Sequence, residues 1–234
     1  WPKVDFLDAV LIALDIYLLL GSKSTTSVIV FLMGAFLLIV QARMKGDARK
    51  LNRAIVFGRV SLLAIQVVAV SFLGKSFAPD LLAAAGKDAS LTGRIPLWQE
   101  LVDMGGQAPV FGCGFASFWL SADRLSDLWA RVNWTPTSAH NGYIEIFLDL
   151  GIIGLLVLLL LLAQTNKNIV NSFRDHLEFG ELKMAFFVMI FFHNFSESGY
   201  GKPTTLIWLL FLLCSIVVRT EPSQEDEASL PSHP

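Results

Sequence analysis

Charge is scarce in this sequence. Charged residues make up 16% of the chain, whereas a soluble domain carries about a quarter. Hydrophobic residues make up 54%, and they come in long blocks that give a mean hydropathy of +0.58. This composition argues against an ordinary soluble domain and predicts a protein with several membrane spans. The formal net charge of -2 gives no sign of a nucleic-acid partner, so none is expected.

Cysteine and the common catalytic motifs are also scarce. The chain has 2 cysteines. Cys113 falls in a predicted loop and Cys214 in an apolar run, so neither a disulfide nor a metal framework is expected. The patterns GxxxxGKS/T, HExxH, GxSxG and CxxC do not occur. ATP hydrolysis, zinc peptidase and serine hydrolase chemistry therefore have no motif support.

Long apolar runs are what the sequence has instead. A helix needs about 20 mainly apolar residues to cross a bilayer. The stretches that qualify, or nearly qualify, are 4–20, 25–42, 54–74, 141–163 and 184–218. The last is long enough for two short passes on either side of the polar turn 196–203. We therefore predict an all-α integral membrane protein with about six transmembrane helices and a partly helical outer loop.

Basic residues predict the orientation, because Lys and Arg in short loops favour the cytoplasmic side. The loops 43–53 and 164–183 are both basic, and both fall on the same side if the six spans alternate. The resulting regions are transmembrane helices 1–3 with the basic loop in 1–74, a periplasmic loop domain in 75–140, helices 4–6 in 141–218, and a disordered cytoplasmic tail in 219–234.

The outer segment 75–140 is too long for a simple connector. It contains a helical-looking piece, Pro96–Met104, a glycine-rich piece, Gly105–Gly114, and several tryptophans. Amphipathic aromatic side chains either line binding clefts or anchor helices at the headgroup level. Trp98 is therefore a candidate substrate contact, with interfacial anchoring as the alternative.

Arg94 is the first candidate for chemistry in this segment. It precedes a predicted helix with Pro96 at an early position, which suits proline. A helix start offers free N–H groups to a phosphate, and an arginine beside it adds a bidentate clamp. The alternative is an arginine that reaches lipid headgroups.

His140 is the second candidate. It falls where the fourth predicted span begins on the outside, and histidine can accept a proton from a hydroxyl near neutral pH. Glu145 and Asp149 follow within the apolar helix, where ionisable groups usually serve a site. Asn141 is placed to cap the helix. The alternative is a capped helix with an interfacial histidine.

Two further polar stretches are predicted to lie outside. Lys23 lies among hydroxyl side chains between the first two spans, and Glu197 and Lys202 lie in the last outer turn. Each has a structural alternative when it is taken singly. Together with Arg94 and His140, however, they bring cations and a possible base from separate segments to one membrane face. That combination fits an anionic lipid carrier better than scattered anchors.

The motifs of the outer segment resemble those of the O-antigen ligase family, which also includes O-antigen and exopolysaccharide polymerases. They are Leu91-Thr-Gly-Arg94 followed by Trp98, the stretch Pro109–Trp119, and Ala139-His-Asn-Gly-Tyr-Ile-Glu145 followed by Gly151-Ile-Ile-Gly154. The resemblance runs from about Ser22 to Trp208 and is most specific across 92–154.

The resemblance implies a fold of the lipid-sugar glycosyltransferase type (GT-C-like) and a bacterial inner-membrane location with a periplasmic active site. Its donor would be an undecaprenyl-diphosphate-linked glycan, and its acceptor the lipid A core or another lipid-linked glycan, with no metal or cofactor. Arg94 would bind the diphosphate, His140 would activate the acceptor hydroxyl, and Glu145 would support that region. Asn141, Trp98, Lys23 and Glu197 are further expected substrate contacts.

One element departs from the family pattern. Thr25 stands where relatives often carry a basic residue, so Lys23 would have to substitute for it as the second phosphate contact. The chain begins with Trp1, and we interpret it as lacking several N-terminal spans of its relatives. A transporter or lipid flippase is the alternative function, although its charges should line the midplane rather than gather at one face.

Overall fold

The computed structural model describes residues 5–22, 24–43, 94–175 and 177–217. These residues form helices and turns, and no strand occurs among them. The helices are α1 (Phe6–Gly21), α2 (Thr25–Arg43), α3 (Arg94–Gly105), α4 (Ser117–Leu120), α5 (Ala122–Val132), α6 (Gly142–Asp175), α7 (Leu177–His193) and α8 (Leu206–Ser215).

The larger hydrophobic core lies among α2, α6, α7 and α8. It includes Leu37 of α2, Ile169 of α6, Phe187 of α7 and Phe211 of α8, all of which are buried. These helices are apolar on most sides, which is typical of helices that are buried or span a membrane. Their outer faces keep many large apolar side chains exposed, as expected of a surface that meets lipid.

A smaller core joins α3, α4 and α5 to the first turns of α6. Leu97 and Leu101 of α3 and Leu128 of α5 pack there against Ile144 and Leu148 of α6. The long helix α6 therefore belongs to both cores. Through it, the outer segment is fixed to the helical bundle.

The structure confirms the all-helical class for the described residues. Two helical stretches among the described residues are long and apolar enough to cross a membrane, Thr26–Arg43 and Gly142–Phe173. The predicted span 54–74 and most of the basic loop 43–53 lie outside the described residues. The number of six spans, the GT-C type and the four region boundaries remain predictions.

Two expectations about the last helices need correction. The stretch 164–183, predicted as a loop, is helical almost throughout, because α6 continues to Asp175 and α7 begins at Leu177. Lys183, predicted to be a basic loop residue, is buried at 3% exposure. Its ammonium group donates to the carbonyl oxygen of Ile216 at 2.6 Å and lies 4.5 Å from the ring centroid of Phe179. These contacts compensate its burial.

Helix α6 is broken at Gly151, where φ is 65° and ψ is -156°. The loop 108–116 lies against the break. Within this loop the amides of Cys113 and Gly114 donate to the carbonyls of Leu148 and Asp149, each at 2.9 Å. On the other side of the break, the amides of Ile152 and Ile153 donate to the carbonyls of Pro109 and Val110 at 2.8 and 3.2 Å. The loop therefore bonds backbone groups on both sides of the break.

Candidate functional site

The polar residues of the site gather at the start of α6. Here the loop that ends in Asn141 meets the turn 194–205, which joins α7 to α8, and the first residue of α3 lies beside both. His140 immediately precedes the cap of α6 and has a left-handed backbone with φ of 47°. A non-glycine residue in this conformation is uncommon and must be held by its surroundings.

Glu197 connects the two residues that the sequence singled out for chemistry. Its Oε1 accepts a hydrogen bond from Nη2 of Arg94 at 3.1 Å. Its Oε2 lies 3.3 Å from Nδ1 of His140. Nη1 of Arg94 also donates to the carbonyl oxygen of Ser196 at 2.6 Å. One carboxylate thus holds the guanidinium and the imidazole next to each other, although the two residues come from different segments.

Glu145 lies beneath this pair and is buried, with its side chain 5% exposed. Its Oε2 accepts from the amide of Ala139 at 3.0 Å and from the hydroxyl of Ser198 at 3.3 Å. Its Oε1 forms an ion pair with Lys202 at 3.1 Å. All three partners lie in the loop before α6 or in the turn after α7. Glu145 therefore ties both segments that carry His140 and Glu197 to α6.

Asn194 fixes the turn itself and is fully buried. Its Oδ1 accepts from the amides of Gly199 and Tyr200, each at 2.9 Å, and its Nδ2 donates to the carbonyl of Ile190 at 2.9 Å. Its backbone carbonyl accepts from the amide of Gly142 at 2.8 Å. A Cβ at Gly142 would overlap the Asn194 side chain, so α6 and the turn approach as closely as glycine permits.

Tyr200 anchors the same turn in the larger core. Its ring packs edge-on against Tyr143 and Phe211, with centroids 5.4 and 5.6 Å apart. Burial raises the pKa of the Tyr200 hydroxyl well above its usual range, so this residue stays neutral and serves packing.

The structure brings most of the predicted site residues together. Asn141 caps α6, as the sequence predicts, with its Oδ1 accepting from the amides of Tyr143 and Ile144 at 3.0 and 3.2 Å. Trp98 donates its indole N–H to the carbonyl of Ala139 at 2.8 Å. The polar atoms of Asn141 and Trp98 are therefore bonded to backbone groups of the protein, next to His140. Lys23 lies outside the described residues.

The three basic side chains of the site are all partly exposed, whereas one of its two carboxylates is buried. The side chains of Arg94, His140 and Lys202 are 26%, 30% and 32% exposed, so solvent reaches all three. Of the two carboxylates, Glu145 is buried and only Glu197 is half exposed. Within the described residues, no group of three His, Cys, Asp or Glu side chains is arranged to hold a metal ion.

The turn 194–205 contributes more to the site than the sequence indicated. Lys202 was expected only as a charged residue of the last outer turn, and neither Ser198 nor the carbonyl of Ser196 was expected at the site. The available signal was the polar composition of the turn between two apolar runs. That signal marks a turn but says nothing about which side chains it brings to His140.

Comparison with known proteins agrees with the motifs. Residues 9–159 match the sequence model of a protein family described as O-antigen ligase. The chain is also 31% identical over 151 residues to the exopolysaccharide production protein ExoQ of Rhizobium meliloti (strain 1021), a match that covers 63% of this chain and 34% of ExoQ. The matched part thus spans about a third of the length of that relative. No solved structure matches the chain.

Proposed function

The chain belongs to the O-antigen ligase family, and on that premise we propose that it is part of a membrane glycosyltransferase of surface polysaccharide assembly. The reaction transfers a glycan from an undecaprenyl-diphosphate carrier to an acceptor hydroxyl. The acceptor is the lipid A core if the protein is a ligase, or another lipid-linked glycan if it is a polymerase. The observation that carries the proposal is the carboxylate of Glu197 shared by Arg94 and His140.

Arg94 binds the diphosphate leaving group in this proposal. When the acceptor oxygen attacks the anomeric carbon, the bond from that carbon to the diphosphate oxygen breaks, and its electron pair leaves with the diphosphate. A guanidinium next to that oxygen stabilises the developing charge without a metal. Arg94 has five N–H donors, and its bonds to Ser196 and Glu197 leave others free for phosphate. Lys23 would provide a second phosphate contact.

His140 accepts the proton of the acceptor hydroxyl. In the tautomer that donates Nδ1–H to Glu197, the lone pair of Nε2 is free to take this proton. Glu197 then stabilises the imidazolium that forms, as a carboxylate does for histidine in other general-base sites. Glu197 is therefore a positioning residue for His140 and Arg94 rather than the direct substrate contact that the sequence indicated.

Glu145 also acts through other residues. It is buried and its two oxygens are occupied by Ala139, Ser198 and Lys202. We propose that it holds the left-handed backbone of His140 and the turn 194–205 in the geometry that transfer needs. Asn141 serves the same purpose by capping α6, while Trp98 supports the loop and lines the approach to it.

The site lies at the outer face of the inner membrane in this proposal, and the protein crosses the membrane several times. Support comes from the apolar α2 and α6 and from the polar cluster at the very start of α6. A broken transmembrane helix is also a feature of transporters, where freed backbone groups bind ions or substrate. Here the groups beside Gly151 bond to the loop 108–116 instead, so the break does not favour a transporter.

The first experiment replaces His140 or Arg94 with alanine in the full-length protein and returns it to the host lacking the gene. Both variants are checked for wild-type abundance in the membrane. We expect mature surface glycan to disappear and lipid-linked precursor to accumulate. Single repeats in the precursor pool identify a polymerase, and full-length polymer identifies a ligase.

A matched control is Arg131→Ala. Arg131 lies in the outer segment but pairs with Glu100 and Asp127, and not with the residues of the proposed site. Unchanged glycans in both the His140 and Arg94 variants, at normal abundance, would overturn the proposed function. Equal loss in the Arg131 variant would mean that the assay reports damage to the segment rather than to the site.

A further inference from the structure

The stretch Pro109–Trp119 carries one of the most distinctive motifs of the sequence, yet the proposed reaction uses none of its side chains. Most of it lies in the loop 108–116, which lies against the break in α6. The contact is mainly between backbones, because the loop uses its own amides and carbonyls to bond Leu148, Asp149, Ile152 and Ile153. The amide of Ala116 adds a bond to Oδ1 of Asp149 at 3.1 Å.

Two glycines make this approach possible. A Cβ at Gly151 would overlap the backbone of Val110, and a Cβ at Gly112 would overlap the backbone of Asp149. Both glycines also have positive φ, 65° and 69°, which side chains disfavour. The loop is therefore fixed at the level of residues 148–153 of α6, and its position follows from where α6 lies.

That level is where the uninterrupted apolar run of α6 begins, directly after Asp149. The polar cluster is at the first turn, and Gly151 comes nine residues after Gly142, which is about 13 Å along a helix. The hydrocarbon core of a bilayer is about 30 Å thick. If α6 starts at the outer headgroups, as the proposed function has it, the loop reaches the outer half of the hydrocarbon core.

The side chains of the loop agree with such a depth. Phe111 is 73% exposed and Phe115 is 62% exposed. Beside them on α6, Leu150, Ile152 and Ile153 are exposed as well. Phe111 and Phe115 thus add exposed apolar surface to that of α6. Irregular backbone is tolerated at such depth only where its polar groups are paired within the protein, and the bonds to α6 pair the amides of Cys113, Gly114 and Ala116 and the carbonyls of Pro109 and Val110.

We propose that the loop 108–116 is inserted in the membrane and that Phe111 and Phe115 contact the acyl chains of outer-leaflet lipids. The proposal rests on the membrane position of α6 in the proposed function. In this proposal Gly112 and Gly151 allow an apolar loop to enter the bilayer while its backbone stays bonded to the broken helix. The loop then anchors the segment between α3 and α4 at a fixed depth beside the site.

The test measures depth with a nitroxide label on a single cysteine at position 111, introduced as Phe111→Cys. The background is the intact protein with Cys113→Ser and Cys214→Ala, reconstituted in phospholipid bilayers. Collisions with oxygen, which concentrates in the bilayer, are compared with collisions with a water-soluble nickel chelate. Leu156→Cys on the exposed apolar face of α6 and Ser126→Cys on α5 provide the two reference sites.

We expect the label at position 111 to give an oxygen-to-nickel ratio close to that at 156 and several-fold above that at 126. Phe115→Cys repeats the measurement in case the first variant does not fold. A ratio at 111 and 115 like that at 126 would overturn the proposal, since the loop would lie in water. Protection from both reagents would also overturn it, because protein rather than lipid would cover the loop. If position 156 is itself reached by the nickel chelate, the membrane position of α6 is wrong, and both proposals fall.

Discussion

At the scale of the residue, Glu197 is the side chain whose interpretation the structure changes most. From the sequence it was a polar residue in an outer turn and a candidate substrate contact. In the structure its two oxygens are used by Arg94 and His140. A diphosphate that binds Arg94 must therefore share this guanidinium with Glu197, while the histidine keeps its carboxylate partner.

Glu197→Gln tests this interpretation. Glutamine keeps the size of the side chain, but it removes the charge that stabilises a protonated His140. We expect glycan transfer to fall by about 10–100-fold, less than the roughly 100–10,000-fold that a positioned acid or base contributes, because Glu197 acts through His140. The amount of protein in the membrane should stay normal. The measurement is the rate of transfer by the purified full-length protein from a lipid diphosphate-linked donor.

Glu100→Gln is the matched control for that variant. Glu100 lies in the outer segment and, like Glu197, is paired with an arginine, but its partner Arg131 is exposed. Exposed ion pairs contribute little, so this variant should transfer at the wild-type rate. If Glu197→Gln is as active as Glu100→Gln, the carboxylate has no part in positioning His140.

The ion pair of buried Glu145 with partly exposed Lys202 gives a second prediction at this scale. Lys202→Met leaves a buried carboxylate without its counter-charge, which should cost about 1–3 kcal/mol in the free energy of unfolding. In the double variant with Glu145→Gln, no charge is left unpaired, and the amide oxygen of the new side chain can still accept from Ala139 and Ser198. The double variant should therefore be more stable than Lys202→Met alone, with a coupling of roughly 1 kcal/mol.

Unfolding by sodium dodecyl sulfate in mixed micelles provides the four free energies of this cycle. Asp127→Asn, which breaks the exposed pair with Arg131, serves as the control and should change stability little. If the change in the free energy of unfolding of the double variant equals the sum of the changes in the two single variants, Glu145 and Lys202 do not stabilise each other.

At the scale of the element, the break in α6 is the feature that organises the outer segment. The helix is the longest among the described residues, and its break lies where the loop 108–116 reaches it. Because backbone bonds join loop and helix on both sides of Gly151, the segment that carries α3, and with it Arg94, is held against the helix that follows His140. The break thus contributes to the distance between the two candidate catalytic residues.

Gly151→Ala and Gly112→Ala test the importance of this contact. Alanine at a left-handed backbone costs about 1–2 kcal/mol, and here its Cβ would also overlap backbone atoms across the contact. We expect each variant to lose more than about 2 kcal/mol in the free energy of unfolding. Detergent titration measures the loss.

Gly21→Ala is the control for both variants. Gly21 ends α1, and a Cβ there would meet nothing within 4 Å. The free energy of unfolding of this variant should equal that of the wild type or be slightly higher, since alanine favours helix. Wild-type stability of Gly151→Ala would contradict the close approach of loop and helix.

At the scale of the whole molecule, two cores meet on α6, and the polar cluster lies at one end of that helix. The predicted orientation puts this end outside and the far end of α6 inside. Half of the basic residues that predicted the orientation lie in 44–53, outside the described residues. The orientation is therefore a prediction that rests on the sequence.

Labelling of single cysteines tests the orientation. Ser126→Cys on α5 and Lys167→Cys near the far end of α6 are both exposed positions, introduced in the background without Cys113 and Cys214. We expect a maleimide that cannot cross the inner membrane to label position 126 in intact spheroplasts. Position 167 should react only after the membrane is opened. The reverse pattern would show that the topology is the opposite of the predicted one. Labelling of both positions in intact spheroplasts would argue against a transmembrane α6.

The sequence by itself determined the all-helical class, the positions of most of the described helices and the family. Long apolar runs fold as helices because a helix satisfies its own backbone groups, and this holds whatever the neighbouring segments do. The cap at Asn141 was predictable for the same reason, since a cap depends only on adjacent residues. Motif spacing also identified Arg94 and His140, which both lie inside the family match over 9–159.

Only the tertiary structure decided what holds Arg94 and His140 together. Glu197, Ser198 and Lys202 lie far along the chain and beyond the family match, and their contacts depend on how α7 and α8 pack against α6. The break at Gly151 was equally hidden. A glycine within an apolar run is compatible with a continuous helix. The broken helix is stable here because amides and carbonyls of the loop 108–116, which is distant in the sequence, form hydrogen bonds with the backbone on both sides of the break.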